Sequence, residues 1–389
     1  MNAMLNHTYT ARSIRAVVAS VVLGVTLVGC SSSSDDAAVE TTVEATAAST
    51  GCPDTAIVEG AKSEGKVNLI ALPDNWANYK GILEAFRTKY EGVENPVANP
   101  DASSADELTA VETLAGQPDQ PDAVDVSPAI GQEFDAKGLW EPFKPCAWDE
   151  IPEVLKDPNG NWVAAYYGLM AIGTNTTVVA EAPTSFADLL DPKYEGKIAI
   201  NGDPRESGAG FAAVMAASLA NGGSFDDILP GIEYFAKLKE SGNLAASDVT
   251  EATVISGETP VWFDWTYNYP GLAPQLESNG VTLSIKVPTD GVYGGYYQQG
   301  AVKGSPNPNA AKLWIDHIIS DEGALGYIVG GAIPARFEAL VAAGKVTDEM
   351  MSNLPDPALL TNLAFPTPAQ IAAAKEVLAQ QWGPMVADK

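Results

Sequence analysis

Two carboxylates stand three residues apart in Gly202-Asp203-Pro204-Arg205-Glu206-Ser207-Gly208-Ala209-Gly210. At a helix start that spacing gathers Asp203 and Glu206 on one side of the first turn, where they could hold an ammonium group or a metal ion. Two other roles stay open for the same residues. Asp203 could cap the helix, with Glu206 favoured by the positive end of the helix dipole. Alternatively, the turn could take an anion on the amides of Ser207 and Gly208, with Arg205 offsetting part of the acidic charge. No Gly-Lys-Ser/Thr follows, so the turn is not a nucleotide P-loop.

Other stretches could also meet a solute. Val261-Trp-Phe-Asp-Trp-Thr-Tyr-Asn-Tyr269 crowds aromatic rings around Asp264. Strand alternation puts Trp262 and Asp264 on one face, Phe263 and Trp265 on the other. A cation between an indole face and Asp264 gains cation–π and Coulomb energy together. In Asp74-Asn-Trp-Ala-Asn-Tyr79, Trp76 and Tyr79 either wall a site or pack inward at a helix start. In Tyr293-Gly-Gly-Tyr-Tyr-Gln-Gln299, paired tyrosines can ligate ferric iron as phenolates, while the glycines suit a segment crossing between domains.

The elements that must carry these residues are legible as apolar runs. Val67–Leu72, Ala123–Val126, Lys197–Ile200, Val261–Trp265 and Leu283–Val287 are expected strands, and Val163–Asn175 is expected to be extended. Helical spacing runs through Trp76–Tyr90, Phe211–Asn221, Ile232–Leu238 and Ala310–Ile319, the last with Asn309 as its expected cap. Pro183–Leu190 reads as a short capped helix. Strands alternating with helices imply an α/β fold with mostly parallel sheets. On such sheets ligands collect at the carboxyl ends of strands. Asp74–Tyr79, Ser127, Asp203–Gly210 and Asp264–Asn268 all stand at such ends.

Composition narrows the chemistry. With 50 Asp+Glu against 22 Lys+Arg the chain carries a formal charge of −28, which argues against nucleic acid as a partner. Its length of 389 residues suggests two domains rather than one core. Of two histidines, His7 falls in the N-terminal leader and His317 in an apolar helical run, where a satisfied helix histidine is expected. There is no Gly-x-Ser-x-Gly turn, and nothing points to a histidine-based zinc site or to any cofactor.

Residues 1–29 read as an export signal. Arg12 and Arg15 precede Ala16–Gly29, an uncharged and largely apolar run too short for a comfortable membrane span. The run ends in Leu27-Val-Gly-Cys30, which resembles the bacterial lipobox and implies lipidation of Cys30. Loss of Arg12 and Arg15 with the leader would take the charge from −28 to −30. Residues 30–51, rich in serine and acid, are expected to form a disordered tether. Cys52 and Cys146 remain, and in an exported chain such a pair is expected to form a disulfide.

With these features the chain resembles the substrate-binding lipoproteins of bacterial ABC importers, in the branch holding spermidine/putrescine- and ferric-iron-binding components. Lys193-Tyr-Glu-Gly-Lys-Ile-Ala-Ile200 and Gly300–Gly323 carry the resemblance. It implies the type II periplasmic-binding-protein fold, with two lobes joined by crossing strands and closing over a solute. Lobe 1 would comprise 53–172 plus 288–389, and lobe 2 175–285. It implies no catalysis, no cofactor, a monomer, and delivery to a permease from the outer face of the cytoplasmic membrane. By resemblance to polyamine binders, Asp203 and Glu206 would pair with ammonium groups, and Trp76, Tyr79 and Trp265 would line the methylene chain. Ser127, Asp264 and Tyr297 complete the expected contacts. Ferric iron, or an organophosphonate or other small anion on the Ser207–Gly208 turn, are the alternatives within this class. Outside it stands an exported hydrolase using paired carboxylates.

Overall fold

The computed structural model describes residues 52–360 and 363–388; the leader, Cys30 and the expected tether lie outside them. The strands are β1 Leu69–Ile70, β2 Val97–Ala98, β3 Ala123–Val126, β4 Trp140–Glu141, β5 Tyr166–Asn175, β6 Ile198–Ile200, β7 Val261–Trp265, β8 Leu283–Lys286, β9 Gly294–Tyr296, β10 Gln298–Val302 and β11 Ile333–Pro334. The helices are α1 Thr55–Glu64, α2 Tyr79–Lys89, α3 Ser104–Thr113, α4 Pro128–Lys137, α5 Gly208–Ala220, α6 Leu229–Glu240, α7 Glu251–Ser256, α8 Tyr269–Ser278, α9 Pro308–Ile319, α10 Asp321–Val329, α11 Phe337–Ala342, α12 Asp348–Met351 and α13 Pro368–Trp382. None of these helices is long and apolar enough to cross a membrane.

Two sheet systems build two lobes. In the first, β10 runs antiparallel between β3 and β4, and the parallel pair β1–β2 lies beside it. In the second, β5 pairs antiparallel with β7 and β8, and β6 runs parallel to β7. The segment entering β5 begins at the first system, where Val163 bridges Gln299 of β10, and β5 itself belongs to the second. Its first residues pair with β9 and β11, its last with β7 and β8. Because β9 leads through Tyr297 directly into β10, the chain crosses here a second time, as the paired glycines before Tyr296 suggested. Most strand pairs are therefore antiparallel, against the expectation of mostly parallel sheets. A chain that leaves a lobe along one strand and returns along its neighbour must pair antiparallel.

The helical face of each lobe is apolar. In α5, Phe211, Val214, Met215 and their alanine neighbours are buried on nearly every side, and α6 covers them through Ile232, Phe235 and Leu238. His317 is fully buried in α9, its ring against Phe86 and Tyr90, and burial pushes its pKa down to about 4. It is a core histidine. The helix it sits in is capped at Asn307 rather than Asn309. Asn309 instead donates from Nδ2 to Glu64 Oε1 at 2.6 Å, fastening α9 to α1. Cys52 and Cys146 form the expected disulfide, with Cα atoms 5.9 Å apart. The C-terminal helix α13 packs on α4 of the first lobe and on α6 of the second.

Candidate ligand-binding site

A cavity of about 550 Å³ lies between the lobes, and three helix starts open onto it. They are the first turn of α3 at Ser103–Ala105, that of α4 at Ser127 and Ile130, and that of α5 at Ser207–Gly208. First-turn amides have no acceptor within their own helix, and together with the helix dipole they favour negative charge. The first two starts are tied together by the Ser127 amide, which donates to Ser104 Oγ at 3.0 Å. Arg205 and Lys375 add the full positive charges of the wall, and Trp76 and Tyr297 add its rings.

The α5 start is built by local hydrogen bonds. Ser207, not Asp203, is the helix cap: its Oγ accepts from the Gly210 amide at 3.1 Å and donates to the Asn201 carbonyl at 2.6 Å. The Asp203 carbonyl accepts from the amides of Glu206 and Ser207, at 2.9 and 2.7 Å. The Ser207 amide is thus already used, and Gly208 and Ala209 supply the open donors of this turn. Asp203 Oδ1 takes the Arg205 amide and Nε, both at 2.9 Å, and Oδ2 takes Nε at 3.1 Å. Those bonds hold the Asp203 carboxyl below the usual range. Glu206 is exposed and lines the cavity, whereas Asp203 is turned to Arg205 and does not. The two acids three residues apart do not converge on one ligand position.

Trp76 is positioned by a strained turn. Ala71, Ala77 and Asn78 hold left-handed φ angles of 58°, 46° and 61°, and Asn78 Nδ2 is pinned to the Gly326 carbonyl at 2.9 Å. The Trp76 ring meets Tyr297 edge-on at 5.3 Å and stacks on Tyr267 at 6.1 Å. Tyr267 in turn stacks on Trp265 at 6.1 Å. Trp265 is buried behind this wall and borders a small apolar pocket beside the main cavity. It fits only because residue 295 is glycine, where a Cβ would come within 2.2 Å of the indole.

Tyr79 lies in the core, with 1% of its surface exposed, and its hydroxyl donates to Asp125 Oδ2 at 2.6 Å. It therefore holds Asp125, which lines the cavity, instead of lining it itself. Gln299 Nε2 donates to the other oxygen of Asp125 at 2.6 Å, and the Asp125 amide donates to Glu107 Oε2 at 2.9 Å. Burial pushes Asp125 up to about 6; burial and the neighbouring Asp125 carboxylate raise Glu107 well above its ordinary range. Asp264 borders a separate cavity of about 200 Å³ on the other side of Trp76. Its oxygens accept from Asn201 Nδ2 at 2.9 Å, from Asn268 Nδ2 at 2.8 Å and from the Trp265 amide at 2.8 Å, and burial pushes it up to about 6.

Tyr296 and Tyr297, neighbours on an extended segment, face opposite ways. Tyr297 lines the cavity; Tyr296 stacks on Trp162 at 5.9 Å, and burial pushes it up to about 12. No iron-ligating phenolate pair forms from them. Sequence reasoning brought Trp76, Ser127, Glu206 and Tyr297 to the cavity. It missed the α3 start, Asp125, Glu107 and Lys375. The α3 start had a signature in Ser103-Ser-Ala-Asp106, a capping box that the structure forms. Lys375 had none.

Two lobes, two crossing strands and a solute-sized cavity between them define a solute-binding fold. The chain belongs to the bacterial extracellular solute-binding proteins, whose family pattern it matches over residues 121–353. An uncharacterized protein of Haemophilus influenzae is 30% identical over 203 residues, 48% of this chain and 54% of that protein. The chain thus spans about half the length of that curated relative. An ABC transporter substrate-binding protein from Bradyrhizobium japonicum has the same fold, with a TM-score of 0.67 and 18% identity, over 82% of this chain and 99% of that one. So has the periplasmic binding protein AfuA from Actinobacillus pleuropneumoniae with fructose-6-phosphate bound, with a TM-score of 0.63 and 21% identity, over 83% and 99%.

Proposed function

We propose that this chain is the extracytoplasmic solute-binding component of an ABC importer, anchored through a lipidated Cys30, and that its solute is a small organic anion such as a phosphonate or phosphate ester. The observation that carries the choice of solute is the convergence of three helix starts on one cavity. Each places the positive end of a helix dipole at the wall, against the carboxylates of Glu107, Asp125 and Glu206 on the same wall. The Asp203–Glu206 carboxylate pair expected to hold ammonium groups does not form at the wall: Glu206 lines it, but Asp203 is bonded to Arg205. AfuA, which shares the fold, was captured with a phosphorylated sugar, in line with an anionic solute. The family and the ABC-transporter relative of like fold support a permease as the partner.

The test is a thermal-shift and calorimetric panel on the mature chain, comparing methylphosphonate, methyl phosphate, inorganic phosphate, spermidine and Fe³⁺. A solute present at one hundred times its dissociation constant stabilises the folded state by about 2.7 kcal/mol, raising the melting temperature by several degrees. The phosphorus oxyanions are expected to give that rise and spermidine none. Binding of spermidine without any oxyanion refutes the choice of solute.

A further inference from the structure

We propose that Lys375, on the C-terminal helix, is a specificity-determining contact of the cavity that selects solutes bearing two negative charges over those bearing one. The inference rests on the anionic reading above and deepens it. Helix α13 lies beyond residues 121–353, so the family pattern does not describe it. It is fastened to the second lobe at both ends: Gln370 Nε2 donates to Asp226 Oδ1 at 3.0 Å, and the Trp382 ring stands 5.8 Å from Phe235. Between those anchors it crosses to α4 of the first lobe. Lys375 sits partway along and reaches the wall of the main cavity beside Gly208.

What sets Lys375 apart is the lack of a counter-ion. Arg205, the other cation of the wall, is already bonded to Asp203. Lys375 has no ion pair among the described residues, although the chain holds 50 acids; its ammonium has only the Phe211 ring, 5.8 Å away. Partial burial lowers its pKa, which is the mark of a cation held without compensation. Helix amides carry partial charges, sufficient for one negative charge on a bound group. Lys375 has no carboxylate in ion-pair contact, so a second negative charge on the ligand is the partner it lacks. A phosphate monoester brings two at pH 8, a diester only one.

The experiment compares methyl phosphate with dimethyl phosphate by calorimetry at pH 8 in the mature wild-type chain, in Lys375→Met and in Lys375→Arg. Wild type is expected to prefer the monoester, and Lys375→Met to lose about 10–100-fold in monoester affinity with little change for the diester. Lys375→Arg, which keeps the charge, is expected to restore the preference. Unchanged monoester affinity in Lys375→Met overturns the assignment, as does an equal loss for both esters, which a purely structural role would cause. If wild type binds neither ester nor methylphosphonate nor inorganic phosphate, the anionic reading itself falls, a result distinct from either of these.

Discussion

Replacing Asp203 by Asn separates the two solute classes by the sign of its effect. A polyamine site loses an ammonium partner and weakens. An anion site loses a negative charge near its ligand and frees the Arg205 guanidinium, so it tightens. With the carboxylate about 8 Å from a bound anion and an effective dielectric constant of about 40, the repulsion removed is about 1 kcal/mol, roughly a fivefold gain in affinity. Asn can still accept the Arg205 amide, which Asp203 Oδ1 takes at 2.9 Å, so the turn before α5 keeps its shape, and Ser207 still caps the helix. Glu206→Gln, at a residue on the cavity wall, is expected to change affinity in the same direction. The assay is calorimetric titration with methyl phosphate at low ionic strength and again at 0.5 M salt, where screening reduces the gain. A several-fold weakening of oxyanion binding in Asp203→Asn would refute the reasoning, as would spermidine affinity that falls with the same substitution.

Asp125 and Asp264, buried and raised from 3.8 to about 6, bind protons more tightly folded than unfolded. Stability is therefore expected to fall as pH rises from about 3 to 7, by about 3 kcal/mol for each carboxyl, and urea denaturation across that range checks it by a slope that Asp264→Asn makes shallower. Gly295→Ala drives a Cβ to 2.2 Å from the Trp265 indole; a loss of about 1–3 kcal/mol is expected in denaturant titrations, with altered tryptophan emission. Opening the Cys52–Cys146 bond, whose ends lie 94 residues apart, is expected to cost about 4–5 kcal/mol, read as a lower melting temperature in reductant or in the double Ser variant.

The strands that carry the site were legible because each is a short apolar run with a hard boundary. Val261–Trp265 and Ala123–Val126 fall where the pattern puts them. The site was less legible, for reasons that differ by residue. Asp203 and Glu206 were read as a pair from spacing, but Arg205 lies between them and takes Asp203 by a two-residue hydrogen bond that competes with any ligand. Tyr79 keeps helical register with Ile82, Leu83 and Phe86, and that register buries it; only the fold reveals that its hydroxyl meets Asp125, 46 residues on. Lys375 lies on a helix whose place across both lobes depends on long-range packing, which no local pattern encodes.

The net charge of −28 and an anionic solute act over different distances. At physiological ionic strength the field of an exposed carboxylate is screened within about 8 Å, so most of the surplus acids do not reach the cavity. Inside it the charges that matter are few. Asp203 is matched by Arg205, and the Asp125 carboxylate is held by the Tyr79 hydroxyl and by Gln299 Nε2. Glu206 alone remains an exposed acid of the wall, set against Lys375 and the amides of three helix starts. The acidic surface therefore governs how an anion approaches, while the sign of the ligand is set by which charges the fold has left uncompensated within the cleft.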